Sequence, residues 1–336
     1  PLPHPPLARA RGGGPPSGAG AMGISWSDAA GDDERVFLGI DIGGTTISVG
    51  LVNDKGELVG GPDCRELGKK PRVKSQPLGS DHEPSRVAER IRALADAVLL
   101  DAERGLDEVA GVGVATPGLL DVKRGVVNVA ANLSGWKDVH ICDLIADALE
   151  VGRERVVLEN DTNAALLAEV WIGAAAGRQN AVLMTLGTGI GGAIMCDGRL
   201  LRGSRGQAGE IGHSILVPDG RPWGSAGVQG IFEGYASATA VASRATENGG
   251  PPRSSSLRSV KGPVECVEVF RHAEQGDKFA VDIVQEAARC LAIGCINCCR
   301  FVDPEVIIFS GGMAQAGETL LSRVREQFAA YHWNIE

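Results

Sequence analysis

The sequence predicts an α/β protein of two lobes, with a duplicated hairpin-containing domain and a cleft between the lobes. Three observations carry that expectation. Residues 36–52 read as strand, glycine turn, strand, and residues 180–195 repeat the pattern in the other half of the chain. Between them, Val156, Val157 and Leu158 run through Glu159, Asn160, Asp161, Thr162 and Asn163 into an Ala/Leu-rich helix ending near Trp171. A carboxylate and two carboxamides thus meet where a strand ends and a helix begins, the edge at which open α/β sheets bind ligands. On that stretch alone, a helix cap by Asp161 or Thr162 is the simpler reading.

Length and composition set the bounds. A chain of 336 residues holds about two domains. With 43% hydrophobic and 22% charged residues the composition is globular. No apolar run approaches the roughly 20 residues of a membrane helix, so no membrane partner is expected. A net charge of −9 argues against a nucleic-acid surface but leaves room for a nucleotide, which needs only local positive potential. Cys290, Cys295, Cys298 and Cys299 fall in one helical segment that is apolar on most faces, which favours buried free thiols over disulfides or a metal site.

Residues 1–35, rich in Pro, Gly, Ala and Arg, are expected to form a disordered tail, with too little apolar material to offset the entropy of ordering. The first Met is at position 22, and the stretch has neither a signal core nor a clear amphipathic helix. A cytoplasmic location is expected, with organellar targeting left open. Order begins at Val36. The turn Gly43, Gly44, Thr45, Thr46 sits in a hairpin, not in the strand-to-helix setting of a dinucleotide fingerprint. Its glycines let backbone N–H groups approach a polyanion, and Asp41 at the strand end is placed to hold a divalent cation through water. Residues 68–84 read as a surface loop, 85–106 as an amphipathic helix, and 109–115 as a buried strand stopped by Thr116, Pro117 and Gly118. Residues 128–136 read as a loop in which Asn132 and Trp136 could line a polar pocket, and 140–149 as a short helix.

In the second half, the hairpin turn carries Gly187, Thr188, Gly189 and Gly191, offering hydroxyls and amides without bulk, as phosphate contact prefers. Glu210 and His213 are one turn apart, and Glu233 opens a helix. A Gly/Pro/Ser loop over 247–262 leads to helices over 264–274 and 277–301. A buried strand then breaks at Gly311 and Gly312, where a nucleoside could lie against bare backbone, and a last helix spans 318–331.

Six blocks in this order (Asp41 to Thr46, Asn160 to Asn163, Leu186 to Gly192, Glu210 to His213, Glu233 to Ser237, Ser310 to Met313) closely resemble the ROK family of sugar kinases, within the hexokinase/actin-like ATPase group. The stretch from Ala131 to Val139 looks most like the glucokinase members. The resemblance implies a two-lobed actin-like ATPase/hexokinase fold and ATP-dependent phosphorylation of a hexose, glucose first. It makes Asp161 the general base, with Asn132, Asn160, Glu210, His213 and Glu233 on sugar hydroxyls. The two hairpins hold the phosphates, Asp41 helps to place Mg²⁺, and Gly311 and Gly312 border the adenosine. Closure of the lobes would exclude water. Partners implied are a small-molecule sugar, a nucleotide and, in a homodimer, a second copy.

The sequence departs from the family in two places. Most members carry a zinc cluster between the counterparts of His213 and Glu233, but here Gly224, Ala226 and Ile231 occupy its cysteine positions, and none can ligate zinc. No structural zinc is expected, and Trp223, Ile231 and Phe232 are candidates to pack in its place. The chain also stops at Glu336, short of the closing strand and helix of the family, so a truncated C-terminus is expected. The expected lobes are 36–135 and 136–336. Two alternatives to the hexokinase reading stand: an N-acetylmannosamine or N-acetylglucosamine kinase, and a sugar-binding regulator of the same family without catalysis.

Overall fold

The computed structural model describes residues 35–60, 73–130, 132–224 and 227–331. The expected tail therefore lies outside the described residues up to position 34, as do Ala226 and residues 332–336. The chain divides into two compact units, an N-terminal one of residues 35–176 with 203–207 and a C-terminal one of 177–202 with 208–331.

In the N-terminal unit, β1 (Val36–Ile42), β2 (Thr46–Asn53) and β3 (Lys74–Pro77) precede α1 (Pro84–Ala102). Next come β4 (Val109–Thr116), the ribbon strands β5 (Leu119–Asp121), β6 (Val126–Val129) and β7 (Lys137–Val139), α2 (Ile141–Leu149), β8 (Val156–Asn160) and α3 (Asp161–Trp171). The main sheet has the order β3-β2-β1-β4-β8. β1 pairs antiparallel with β2 and parallel with β4, and β4 pairs parallel with β8. Alternation along β1 buries Val36, Leu38, Ile40 and Ile42, and Val87, Ile91, Ala95 and Val98 of α1 close over the same core. Pro84 starts α1 and the Glu83 side chain accepts from Arg86 N, a cap that fixes where the helix begins.

Three expectations change here. The loop read over 68–84 contains β3, a polar edge strand tied to β2 by Ser48 and Ser75 hydroxyls 2.8 Å apart. The loop read over 128–136 is flanked by β6 and β7, which pair with each other. The lobe boundary drawn at residue 135 gives way to one at 176. The reason is pairing: Val156 to Asn160 of β8 align with Val112 to Thr116 of β4, so Asp161 is carried by the first sheet.

The C-terminal unit repeats the pattern. Here β9 (Ala181–Leu186), β10 (Ile190–Cys196) and β11 (Arg199–Leu200) are followed by a two-stranded ribbon, β12 (Pro222–Trp223) and β13 (Val228–Gln229). Helices α4 (Glu233–Ala236), α5 (Ala238–Thr246), α6 (Cys266–Glu274) and α7 (Lys278–Val302) precede β14 (Val306–Ser310) and α8 (Glu318–Tyr331). β9 pairs antiparallel with β10 and parallel with β14, as β1 does with β2 and β4. Each hairpin has a three-residue connection, 43–45 or 187–189. The long α7 is the spine of the second core. Its Cys290, Leu291, Cys295 and Cys298 are buried, and all seven described cysteines are free thiols. Asp277 caps α7, accepting from Ala280 N at 3.0 Å and from the Ser255 and Ser256 hydroxyls at 2.9 and 2.8 Å.

Candidate active site

In the N-terminal unit, sheet pairing aligns Asp41 with Ala115 and Ala115 with Glu159, so Asp41 and the Asn160–Asp161 step emerge at one sheet edge. Asn160, not Asp161 or Thr162, is the residue that caps α3. Its Oδ1 accepts from Thr162 N at 3.0 Å and Asn163 N at 3.2 Å, which leaves Nδ2 as the atom it can offer a ligand. Asp161 is half-buried, and its Oδ1 accepts from Thr162 N at 2.7 Å and from the Thr162 hydroxyl at 3.2 Å. Glu159 Oε1 accepts from Asn163 Nδ2 at 3.0 Å, which fixes the first turn of the helix from below.

Asp41 is open to solvent at its surface, yet its carboxyl pKa is raised, first by desolvation and then by the negative charge of Asp161. Beside it the hairpin turn is closed by Gly43 N donating to Thr46 O at 2.9 Å, and Thr45 O accepts from Leu78 N at 2.7 Å. A Cβ on Gly44 would lie 2.9 Å from the Cβ of Asn132, so the turn and the Asn132 loop touch because Gly44 has no side chain. Trp136, half expected in the pocket, is core at 2% exposure. Sequence reasoning missed His82, which holds that loop. Its carbonyl accepts from Trp136 Nε1 at 2.6 Å, and its Nδ1 accepts from Ser134 N at 3.0 Å. Only the pairing of a distant histidine with backbone would have revealed it.

In the C-terminal unit, the segment 209–212 lies directly on β10. A Cβ on Gly192 would meet Gly209 O, and one on Gly212 would meet Ile190 O. These glycines let two backbones pack, and the packing sets exposed Glu210 and His213 beside the second hairpin. Glu233 joins them there. Its Oε2 accepts from Ile190 N at 3.2 Å, and its Oε1 accepts from Trp223 Nε1 at 3.2 Å. The residue before it, Phe232, is wholly buried against Gly294 of α7, where a Cβ would lie 2.5 Å from the ring. Burial on this scale is worth about 1.5–3 kcal/mol. The second turn is held by Gly187 N donating to Gly189 O at 3.0 Å and by Gly187 O accepting from Ala238 N at 2.9 Å. Thr188 is exposed at its tip, and Gly191 follows in β10. β14 ends at Gly311, whose φ of +87° and whose approach to Leu186 O (2.7 Å from a would-be Cβ) both demand glycine. Nothing lies within 4 Å of a Cβ built on Gly312, so bare backbone faces open space there.

The donor set suits Mg²⁺ carried on a phosphate chain. Such an ion takes one or two protein carboxylates and fills its other positions with water and phosphate oxygens. Asp41, disfavoured as an anion by partial desolvation of its carboxyl and by Asp161, gains from a nearby cation. Among the described residues no cluster of three or more His, Cys, Asp or Glu could hold a metal by itself, and no helix is long and apolar enough to cross a membrane.

The chain is similar to known proteins over most of its length. A glucokinase of Thermotoga maritima is 35% identical over 298 residues, spanning 88% of this chain and 87% of the relative. A glucokinase of Halalkalibacterium halodurans is 33% identical over 301 residues, spanning 89% and 86%. Among solved structures, a ROK family glucokinase from Streptomyces griseus in complex with glucose and AMPPNP superposes with a TM-score of 0.69 at 30% identity, covering 90% of this chain and 92% of that one. The fold is therefore the actin-like ATPase/hexokinase fold expected from the sequence. The ROK family description itself matches residues 37–334, and the chain belongs to the ROK family.

Proposed function

We propose that this protein is an ATP-dependent sugar kinase whose preferred acceptor is glucose, phosphorylated to glucose 6-phosphate with Asp161 as general base. The observation that carries the reading is the placement of Asp161. It stands at a sheet edge with Oδ1 tied to Thr162, so the carboxylate has a fixed orientation, and Asp41 stands nearby to interact with a cation. Likeness to relatives named glucokinase supports the sugar and the donor.

In this mechanism Asp161 accepts the proton of the sugar hydroxyl as that oxygen attacks the γ-phosphorus and ADP leaves. Asn160, held by its cap, donates through Nδ2 to a sugar oxygen. Asn132, Glu210, His213 and Glu233 bind the remaining hydroxyls, and those backbone N–H groups of the turns at 43–46 and 187–191 that are not spent on Thr46 O, Gly189 O or Glu233 meet the phosphates. Gly311 and Gly312 give the adenosine a surface without side chains. Asp41 would help to hold the Mg²⁺ that accompanies the nucleotide, and that ion would supply neutralisation of phosphate charge.

A coupled phosphorylation assay across glucose, mannose, fructose, N-acetylmannosamine and N-acetylglucosamine tests the acceptor. Glucose is expected to give the highest kcat/KM, because a site built for hydroxyls penalises a sugar that leaves its polar groups unpaired. A higher kcat/KM for N-acetylmannosamine would replace glucose with an amino sugar. Tight sugar binding with no transfer to any sugar would make the protein a regulator.

A further inference from the structure

Trp223 has no part in the proposed reaction, yet its indole N–H is spent on Glu233. We propose that Trp223 is a positioning residue that sets the orientation of the Glu233 carboxylate, and that the β12–β13 ribbon exists in this chain to deliver it. The inference rests on the proposed sugar-binding role of Glu233 and extends it.

Three observations converge. The first is the pair of hydrogen bonds at Glu233: Trp223 Nε1 donates to Oε1 at 3.2 Å and Ile190 N donates to Oε2 at 3.2 Å. Each carboxylate oxygen has one partner, so the plane of the group is fixed with lone pairs left over for a sugar hydroxyl. Without the indole, the carboxylate could swing about its bond to Ile190. The second is packing. A Cβ on Gly234 would lie 3.0 Å from both Cβ and Cγ of Trp223, so the indole sits directly on the first turn of α4. The third is the anchoring of the ribbon itself. Arg221 N donates to Tyr235 Oη at 3.0 Å, its guanidinium stacks over the Tyr235 ring at 4.5 Å, and it donates to Glu286 of α7 at 3.3 Å. Two residues before the indole, the chain is thus tied to both α4 and α7, which leaves Trp223 little freedom. A partly buried hydrogen bond to a carboxylate is stronger than one between neutral groups, so the indole can direct Glu233 against competing water.

The test combines a double-mutant cycle with a spectroscopic probe. Trp223→Phe keeps the aromatic bulk and removes the N–H, and Glu233→Gln removes the charge. In ¹⁵N-indole spectra of the sugar-free protein, the resonance missing from Trp223→Phe is that of Trp223, and it is expected to shift in Glu233→Gln. In kinetics, Trp223→Phe is expected to raise the sugar KM about tenfold, within the range of a hydrogen bond to a charged group, with ATP KM and Tm near wild type. In the Glu233→Gln background the same change is expected to add clearly less, because the amide oxygen accepts from the indole more weakly than the carboxylate does. An indole resonance indifferent to Glu233→Gln, or equal effects of Trp223→Phe in both backgrounds, overturns the proposal. If the indole shifts but Glu233→Gln leaves every sugar KM unchanged, the positioning contact stands and the sugar role of Glu233 falls.

Discussion

Asp161 raises the pKa of Asp41 from the far side of β4, adding to a rise that burial has already begun. Two carboxylates held at one sheet edge are a standing electrostatic cost in the ligand-free protein, and relief comes with a cation. The sign follows from proton linkage. A carboxyl whose pKa is higher in the fold than its ordinary 3.8 binds protons better when folded, so stability falls as pH rises through that interval and stays lower above it. Asp41→Asn is therefore expected to raise Tm at neutral pH while lowering turnover with MgATP roughly 10- to 100-fold, the usual effect of losing an outer-sphere partner. Thermal unfolding and steady-state kinetics on the same preparation check both halves, and a lower Tm in the mutant would remove the strain.

Asp161→Asn is expected to cut turnover by about 10²–10⁴-fold, the ordinary contribution of a general base, while leaving sugar affinity within about threefold, since the amide keeps its size and still accepts through one oxygen. Calorimetric titration with glucose separates binding from transfer. Turnover near that of the parent would take Asp161 out of the proton path.

Asp277 acts on stability alone. Burial would raise its pKa, but hydrogen bonds from Ala280 N, the Ser256 and Ser255 hydroxyls and Ser256 N outweigh it and pull the value down to about 2. Its contribution is complete above the ordinary 3.8 and is lost as pH falls through about 2. Asp277→Ala is expected to cost about 0.5–2 kcal/mol at neutral pH, as loss of a helix cap does, and to reduce the steepness of acid unfolding. Denaturant titrations at pH 7 and pH 3 measure it. An unchanged midpoint at pH 7 would show that the cap is idle.

The segment between His213 and Glu233 is expected to hold its shape without zinc. Buried Phe232 against Gly294 and the Arg221 contacts to Tyr235 and Glu286 supply the packing. A zinc-selective chelator should leave activity unchanged, and Phe232→Ala should cost about 3–5 kcal/mol. Stoichiometric zinc in purified protein, lost to the chelator together with activity, is the contrary result.

Much of the fold was legible because its strands are apolar runs punctuated by glycine. Both hairpins, α3 ending at Trp171, and β14 breaking at Gly311 follow from such punctuation. β3 was hidden because Lys74, Ser75, Gln76 and Pro77 carry no apolar alternation; an edge strand needs none, since only one side is paired. β6 was lost because its four residues sit beside a turn-rich stretch. The unit boundary was hidden by register: β8 pairs with β4 over 40 residues away, and no local pattern announces a parallel partner. At the site, residue types pointed to Asp161 and Asn160, but which of them caps the helix depends on backbone angle and side-chain direction. His82 was invisible as a contributor because its contacts to Ser134 and Trp136 are made only by folding, and Trp223, legible as packing, gave no sign in the sequence of its bond to Glu233.

The cysteines give each unit its own clock. Cys142 lies in the core of the N-terminal unit, while Cys290, Cys295 and Cys298 lie in that of the C-terminal unit. Burial pushes the Cys142 thiol up to about 11 and the Cys298 thiol up to about 12, so alkylating reagents, which need a thiolate in reach, find neither in the folded protein. Modification must await opening of the unit that holds the thiol. Peptide-resolved alkylation over time would therefore read the opening rate of each half of the chain separately. Nucleotide or sugar that steadies only one of them would slow only that one.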